Sequence, residues 1–269
     1  LKERNLADAK IGLIDTGRGL PLPQLEALRS LLPRVHWQSC DRMLQQMRLK
    51  KSGRELAVLR KGARVLQRIF QEAEAIIQTG RKECEMVAEL DRLARHKGVE
   101  DVRLLVGKER LQPPGSGPDT LQGHWAVYLS IQYGRYWVEA GRSFNLDSDP
   151  GFEQAYGKAR DSLEAMSANI RPGQSLKTVD DGVRRCLGDL HATAAAYGLG
   201  NGIGLSPWEA PFLDQEEGPN TISSNAQTLE CDMTLTLRVG IAPERNLALF
   251  GDSYHVTARG LIPLSESMS

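Results

Sequence analysis

The chain has 269 residues, 41% of them hydrophobic and 25% charged, a balance that excludes a disordered, collagen-like or membrane-embedded polypeptide and allows a full core. Equal numbers of basic and acidic residues, 34 of each, leave a formal net charge of zero, so no global field draws in nucleic acid, an anionic bilayer or an acidic partner. No run approaches the roughly 20 apolar residues of a membrane span. The cysteines Cys40, Cys84, Cys186 and Cys231 form neither a C-x-x-C pair nor a dense disulfide framework, so reduced thiols and a cytoplasmic setting are expected. The chain opens on Leu1 rather than Met, as a fragment does, which leaves any upstream targeting segment out of view.

Lys10 to Thr16 is a short apolar run closed by Gly17 and suited to a buried strand. Leu22 to Leu32, between Pro21 and Pro33, has the spacing of an amphipathic helix, and Val35-His36-Trp37 reads as a second strand. One strand-helix-strand unit is too small to stand alone, so residues 1–47 are read as the end of a smaller N-terminal α/β domain. A long helix is predicted from Ser52 to Ile77, stopped by Gly80, and a second from Glu83 to His96. The basic residues between Arg48 and Arg64 alternate with apolar ones at helical spacing and form a solvated face.

That order then recurs. Phe152 to Ile170 is helical, Pro172-Gly173 stops it, and Val179 to Tyr197 resumes it. The local spelling matches too, Ala75-Ile-Ile-Gln-Thr-Gly80 sitting over Ala168-Asn-Ile-Arg-Pro-Gly173. β-rich sequence follows each helix pair, Val102 to Val106 and Trp125 to Val138 first, Thr234 to Val239 and Leu247 to Val256 second. Two similar halves predict a pseudo-twofold α/β (α+β) domain over residues 48–269 whose two sheets meet at a central cleft.

The second half contains Gly200-Asn-Gly-Ile-Gly-Leu-Ser-Pro-Trp-Glu-Ala-Pro211, which resembles the pita-bread superfamily of methionine aminopeptidases, Xaa-Pro peptidases and creatinases, the M24-like peptidases. That family spells the stretch Gly-His-Gly-Ile-Gly-Leu, then His-Glu-x-Pro. Lys50 to Arg60 is similar to the family's lead-in to its first helix, Tyr136 to Phe144 to a strand ending in Asp-x-x-Arg-Thr-Phe, and Met233 to Gly240 and Asp252 to Gly260 to its last two strands. The resemblance covers about residues 48 to 263. Residues 1–47 are similar to the end of the N-terminal domain of creatinases and Xaa-Pro peptidases.

The resemblance implies a pair of divalent metals held by two Asp, one His and two Glu, since a two-metal hydrolase needs anionic oxygens to balance its cations and bridge a nucleophilic water. Position by position, the first Asp falls at or beside Tyr128, the second at Glu139, the His at Asn201, the first Glu at Arg238 and the second at Gly251. A guanidinium in the ligand shell repels a dication, so no dinuclear site is expected. The family's auxiliary histidines correspond to Pro113-Pro114 and Trp208, which disfavours a copy of the metal-free creatinase reaction as well.

Glu139, Arg142, Glu209 and Arg238 are expected to converge on the cleft, either as a clamp for a carboxylate or amide or as a structural pair filling the space the metals left. Tyr128, Asn201 and Trp208 complete the expected ligand-binding set. Candidate catalytic groups are Glu139, Glu209 and two histidines near strand ends, His124 and His255. Tyr133, Tyr136, Trp125 and Trp137 read as core aromatics. The function expected is that of a metal-free, non-peptidase member of the superfamily whose cleft binds a small peptide-like or carboxylate ligand or a protein partner. The alternatives are a metal-independent hydrolase or lyase acting on a small C–N compound, and a metallopeptidase whose metal ligands lie elsewhere. No cofactor, nucleic acid or membrane is called for, and the resemblance implies a homodimer.

Overall fold

The computed structural model describes residues 8–14, 20–115, 120–190, 198–213, 228–242 and 246–266. The chain divides into two compact units, Leu1–Arg48 and Leu49–Ser269. In the first, β1 (Lys10–Leu13) runs parallel to β2 (His36–Ser39), with α1 (Leu22–Leu31) between them. Pro23 in the first turn suits the start of α1, where a backbone N–H has no intrahelical partner to lose. A further helix, α2 (Asp41–Leu49), escapes the sequence reading; it is short and buries no residue.

The second unit begins with α3 (Gly53–Ile76). Ser52 caps it: the Ser52 hydroxyl accepts from the Glu55 N–H, and the Glu55 carboxylate accepts from the Ser52 N–H at 2.7 Å. Leu56, Leu59, Ala63, Leu66, Ile69, Phe70 and Ala73 form its buried face. Helix α4 (Glu83–His96) has the bounds its spacing predicts. Strands β3 (Asp101–Gly107), β4 (His124–Tyr133) and β5 (Tyr136–Asn145) follow; the stretch expected to be β-rich from Trp125 to Val138 is a hairpin turned at Gly134 and Arg135, both with positive φ. Then come α5 (Pro150–Asn169), α6 (Leu176–Leu187), β6 (Gly200–Gly202), β7 (Glu209–Leu213), β8 (Thr234–Ile241), β9 (Ala248–Thr257) and β10 (Gly260–Pro263). Helix α6 stops short of the predicted Tyr197 because Gly188 takes a positive φ; residues 191–197 lie outside the described residues.

Two sheets meeting at a cleft were the expectation, and the structure corrects it. All the strands of the second unit among the described residues belong to one eight-stranded antiparallel sheet, ordered β3-β4-β5-β9-β8-β6-β7, with β10 on β9. The halves join where β5 meets β9, and the register there has a single pair, Gly141 opposite Gly251. Both positions need glycine for close approach. A Cβ on Gly141 would stand 2.9 Å from Leu249, and one on Gly251 2.9 Å from the Arg238 Cβ. Beside that pair, serine hydroxyls replace the ladder. Ser253 Oγ donates to Glu139 O at 2.8 Å and accepts from Glu139 N–H at 2.9 Å; Ser143 Oγ donates to Leu247 O at 3.0 Å and accepts from Leu249 N–H at 2.8 Å.

Alternation along the strands sorts the two faces. Val127, Leu129 and Ile131 on β4 and Val138 and Ala140 on β5 pack on α3 and α4; Leu235, Leu237 and Val239 on β8 and Tyr254 and Val256 on β9 pack with α5 and α6. The opposite face therefore carries Tyr128, Ser130, Glu139, Thr236 and Arg238. Replacing Ser253 with Ala strands a buried carbonyl and a buried N–H at the joint between the halves, so a loss of about 1–3 kcal/mol is expected in urea unfolding, with little change in slope.

Candidate functional site

The centre of the open face is organised by one guanidinium. Register places Tyr128 opposite Gly141, Gly141 opposite Gly251 and Gly251 opposite Arg238, so four strands contribute to one row with side chains only at its ends. Arg238 fills the gap. Its Nη1 donates to the Tyr128 hydroxyl at 2.8 Å, its Nη2 to Asn201 Oδ1 at 3.3 Å and its Nε to Gly198 O at 2.8 Å. Tyr128 in turn donates to Glu139 Oε2 at 2.7 Å, and Ser130 Oγ donates to Glu139 Oε1 at 2.6 Å. Arg238 and Glu139 thus come within 3.8 Å, with Tyr128 bridging them. Asn201, fully buried, uses its amide N–H groups on Gly202 O and Pro207 O, which leaves its oxygen for the arginine.

Burial and pairing act in opposite senses here. For Glu139, desolvation raises the carboxyl above its ordinary range, and Arg238, Ser130 and Tyr128 pull it back only in part. For Arg238, burial disfavours the charge, but Tyr128 and Glu139 together raise its pKa, so the guanidinium stays charged. Burial also holds the Tyr128 phenol protonated, as its role as donor to Glu139 requires.

The other expected residues are dispersed. Arg142 does not reach the cluster. It lies three residues from Glu139 on one strand, hence on the helix-facing side, where it pairs with Asp252 at 2.8 Å and lies over the Phe250 ring at 4.2 Å. Glu209 is held by Lys51 at 3.2 Å, both buried, and accepts from the Ser206 N–H at 2.9 Å; Lys51 is a partner the sequence reading missed. His124 stacks on Phe152 at 4.1 Å with Asp149 3.5 Å away. His255 lies between Asp232, at 3.1 Å, and Arg60, at 3.1 Å. Neither histidine is hydrogen-bonded to the arginine cluster. Trp208 is 39% exposed and leans on Phe212 at 5.3 Å. Ser130 was also missed, although counting back through the Gly134–Arg135 turn sets it opposite Glu139.

The sequence profile of metallopeptidase family M24 matches residues 57–258. The chain belongs to that family. It is 26% identical to the Bacillus subtilis protein named "Putative dipeptidase YkvY", over 99% of this chain and 73% of that protein, and 25% identical to an uncharacterized peptidase of Staphylococcus aureus strain USA300, over 75% of this chain and 58% of that protein. Among solved structures, the Xaa-Pro dipeptidase of Bacillus anthracis superposes with a TM-score of 0.83 at 19% identity, covering 100% of this chain and 75% of that one. The prolidase of Pyrococcus horikoshii gives 0.82 at 19%, covering 99% and 77%. The methionine aminopeptidase of Thermotoga maritima gives 0.66 at 15%, covering 82% and 100%. These likenesses show the pita-bread fold.

The M24 metal positions, by the resemblance set out above, hold a phenol, a carboxylate, an amide, a guanidinium and a bare glycine. Among the described residues no three His, Cys, Asp or Glu side chains gather as a metal would need. One carboxylate cannot balance two dications, and a fixed positive charge lies 3.8 Å from it. The donor set does not fit the metals.

Arg238→Ala leaves Glu139 buried without its counter-charge and is expected to cost about 3–5 kcal/mol in chemical denaturation, whereas Glu139→Leu with Arg238→Met together should cost much less. The raised Glu139 also predicts a pH dependence. Over a window that starts near 4.5, the folded chain keeps a proton the unfolded chain has lost, so this group's contribution is greatest below the window and declines as pH rises through it. Glu139→Gln lacks that decline: parent stability minus variant stability should fall from acid toward neutral pH, and a rise would put the pull of Arg238 above burial.

Proposed function

We propose that this chain is a metal-free member of the M24 family that has given up peptide hydrolysis and keeps its cleft to bind a small peptide-like or carboxylate ligand. The observation that supports this most directly is Arg238. It stands at one of the five ligand positions that the resemblance implies and reaches three others, donating to Tyr128 and Asn201 and lying 3.8 Å from Glu139, while Gly251 brings no side chain to the fifth. A side-chain charge there can serve where a cation would, since the buried Glu139 needs a positive partner with or without metal.

The relatives' names point to dipeptides and Xaa-Pro peptides as the compounds to try first. The chain spans 73% of YkvY and 58% of the staphylococcal peptidase, so the ligand assignment is a proposal for the part they share. The metal-independent hydrolase reading is the weaker one, because it needs a proton-transfer group at the cluster, whereas His255 is bonded to Asp232 and Arg60 and His124 is stacked on Phe152 with no hydrogen bond to the cluster. The same proposal has the chain working in the cytoplasm as a homodimer, without cofactor, nucleic acid or membrane; among the described residues no helix is long and apolar enough to cross a bilayer.

Elemental analysis after dialysis tests the reading. Well under one Mn, Co or Zn per chain is expected, with no release of proline from alanyl-proline when those metals are added, and calorimetric binding of the intact dipeptide. A stoichiometric pair of metals with turnover would restore a metallopeptidase whose ligands lie elsewhere.

A further inference from the structure

The face away from the helices carries a second arginine, whose charge helps to lower Glu139 but which makes no hydrogen bond to the central cluster. Arg103 on β3 stands opposite Ser130, and Ser130 opposite Glu139, so Arg103 marks the outer end of the row that holds the buried glutamate. Its side chain is exposed and makes no hydrogen bond or ion pair with any described residue. What holds it is a ring: the guanidinium carbon lies 4.8 Å from the centroid of Trp137. Trp137 lies two residues before Glu139 on β5 and therefore on the same face. It is only 4% exposed, yet its indole Nε1–H has no hydrogen-bond partner. The Trp137 backbone N–H is bonded to Gly204 O at 2.7 Å, which anchors the residue beside the Gly204 loop.

Two donors left over at one spot, one charged and one neutral, call for an acceptor. Buried N–H groups without partners are rare in folded proteins because water has been removed and nothing returned. The other cations near the cleft are already matched, Arg238 with Glu139 and Lys51 with Glu209. The Glu139 oxygens are occupied by Tyr128 and Ser130. We propose that Arg103 and the Trp137 indole N–H form a carboxylate-binding corner of the cleft, which takes the free carboxylate of a small peptide-like ligand. The planar guanidinium offers paired N–H groups that match the two oxygens of a carboxylate. Tied down only by the ring beneath it, Arg103 is free to turn toward the ligand and uncover the indole edge. A terminal amide supplies an acceptor to the indole but no charge to the guanidinium, so the corner favours acids over amides.

This assignment rests on the reading of the cleft as a ligand site, and the test separates the two. The full chain, labelled with nitrogen-15, is titrated with alanyl-proline and with alanyl-prolinamide, and affinity is measured by calorimetry alongside the indole N–H resonances and a metal analysis. The acid should bind at least about tenfold tighter than the amide and shift the one indole signal that Trp137→Phe removes. Arg103→Gln should abolish the preference for the acid, Arg103→Lys should retain part of it, and Trp137→Phe should weaken the acid while keeping the ring that supports Arg103. Thermal midpoints identify any variant whose loss comes from unfolding; the parent's acid-to-amide ratio and indole shift decide without variants. Equal binding of acid and amide, binding of neither, or an unmoved Trp137 signal would overturn the corner while a metal-free protein leaves the wider reading standing. A stoichiometric metal pair together with a strong acid preference would do the reverse.

Discussion

A guanidinium does not give up its proton inside a protein, so a buried arginine dictates its surroundings. Arg238 lies in the floor of the sheet with a hydroxyl, an amide oxygen, a backbone carbonyl and a carboxylate arranged about it. Each neighbour is then constrained in turn. Tyr128 must accept from the arginine and so donates its own hydrogen bond to Glu139; Asn201 must present its oxygen, which its two bonds to Gly202 and Pro207 enforce; Gly198, 3.1 Å from the arginine Nη2 at its missing Cβ, must stay without a side chain. A charge that cannot be removed therefore balances the buried Glu139 from within the chain.

That substitution is placed where the two halves of the domain meet. Gly141 and Gly251 approach backbone to backbone, and Ser143 and Ser253 carry the hydrogen bonding on either side. Ser253 bonds both backbone groups of Glu139, so the residue that fixes the joint also fixes the counter-charge of Arg238. Stability and site geometry therefore share residues, and the joint accounts for one continuous sheet where two had been expected.

The open face separates into a centre that is satisfied and an edge that is not. At the centre Arg238 and Glu139 each have partners within the fold. At the edge, Arg103 and the Trp137 indole keep donors for something else. Lys51 and Glu209, 158 residues apart in sequence, tie the start of α3 to β7 and hold the Gly204 loop against them, close to the loop's bond with Trp137.

Much of this was legible in the chain itself, and the limits follow from range. Helix α4 and the Ser52–Glu55 cap depend on residues three and four apart, which periodicity and capping chemistry report directly. The repeat of helix pair and β-rich stretch, together with the Gly200–Pro211 resemblance, was enough to name the superfamily and to pair Glu139 with Arg238. Arg142 was misplaced although alternation along the predicted strand already sets it, three residues on, on the face opposite Glu139. Lys51 beside Glu209 and the lone indole under Arg103 could not be read at all. By itself the sequence determined the local elements and the superfamily; only the tertiary structure decided which groups surround Arg238 and Glu139, because charge balance and close approach are settled between strands that meet far apart in sequence.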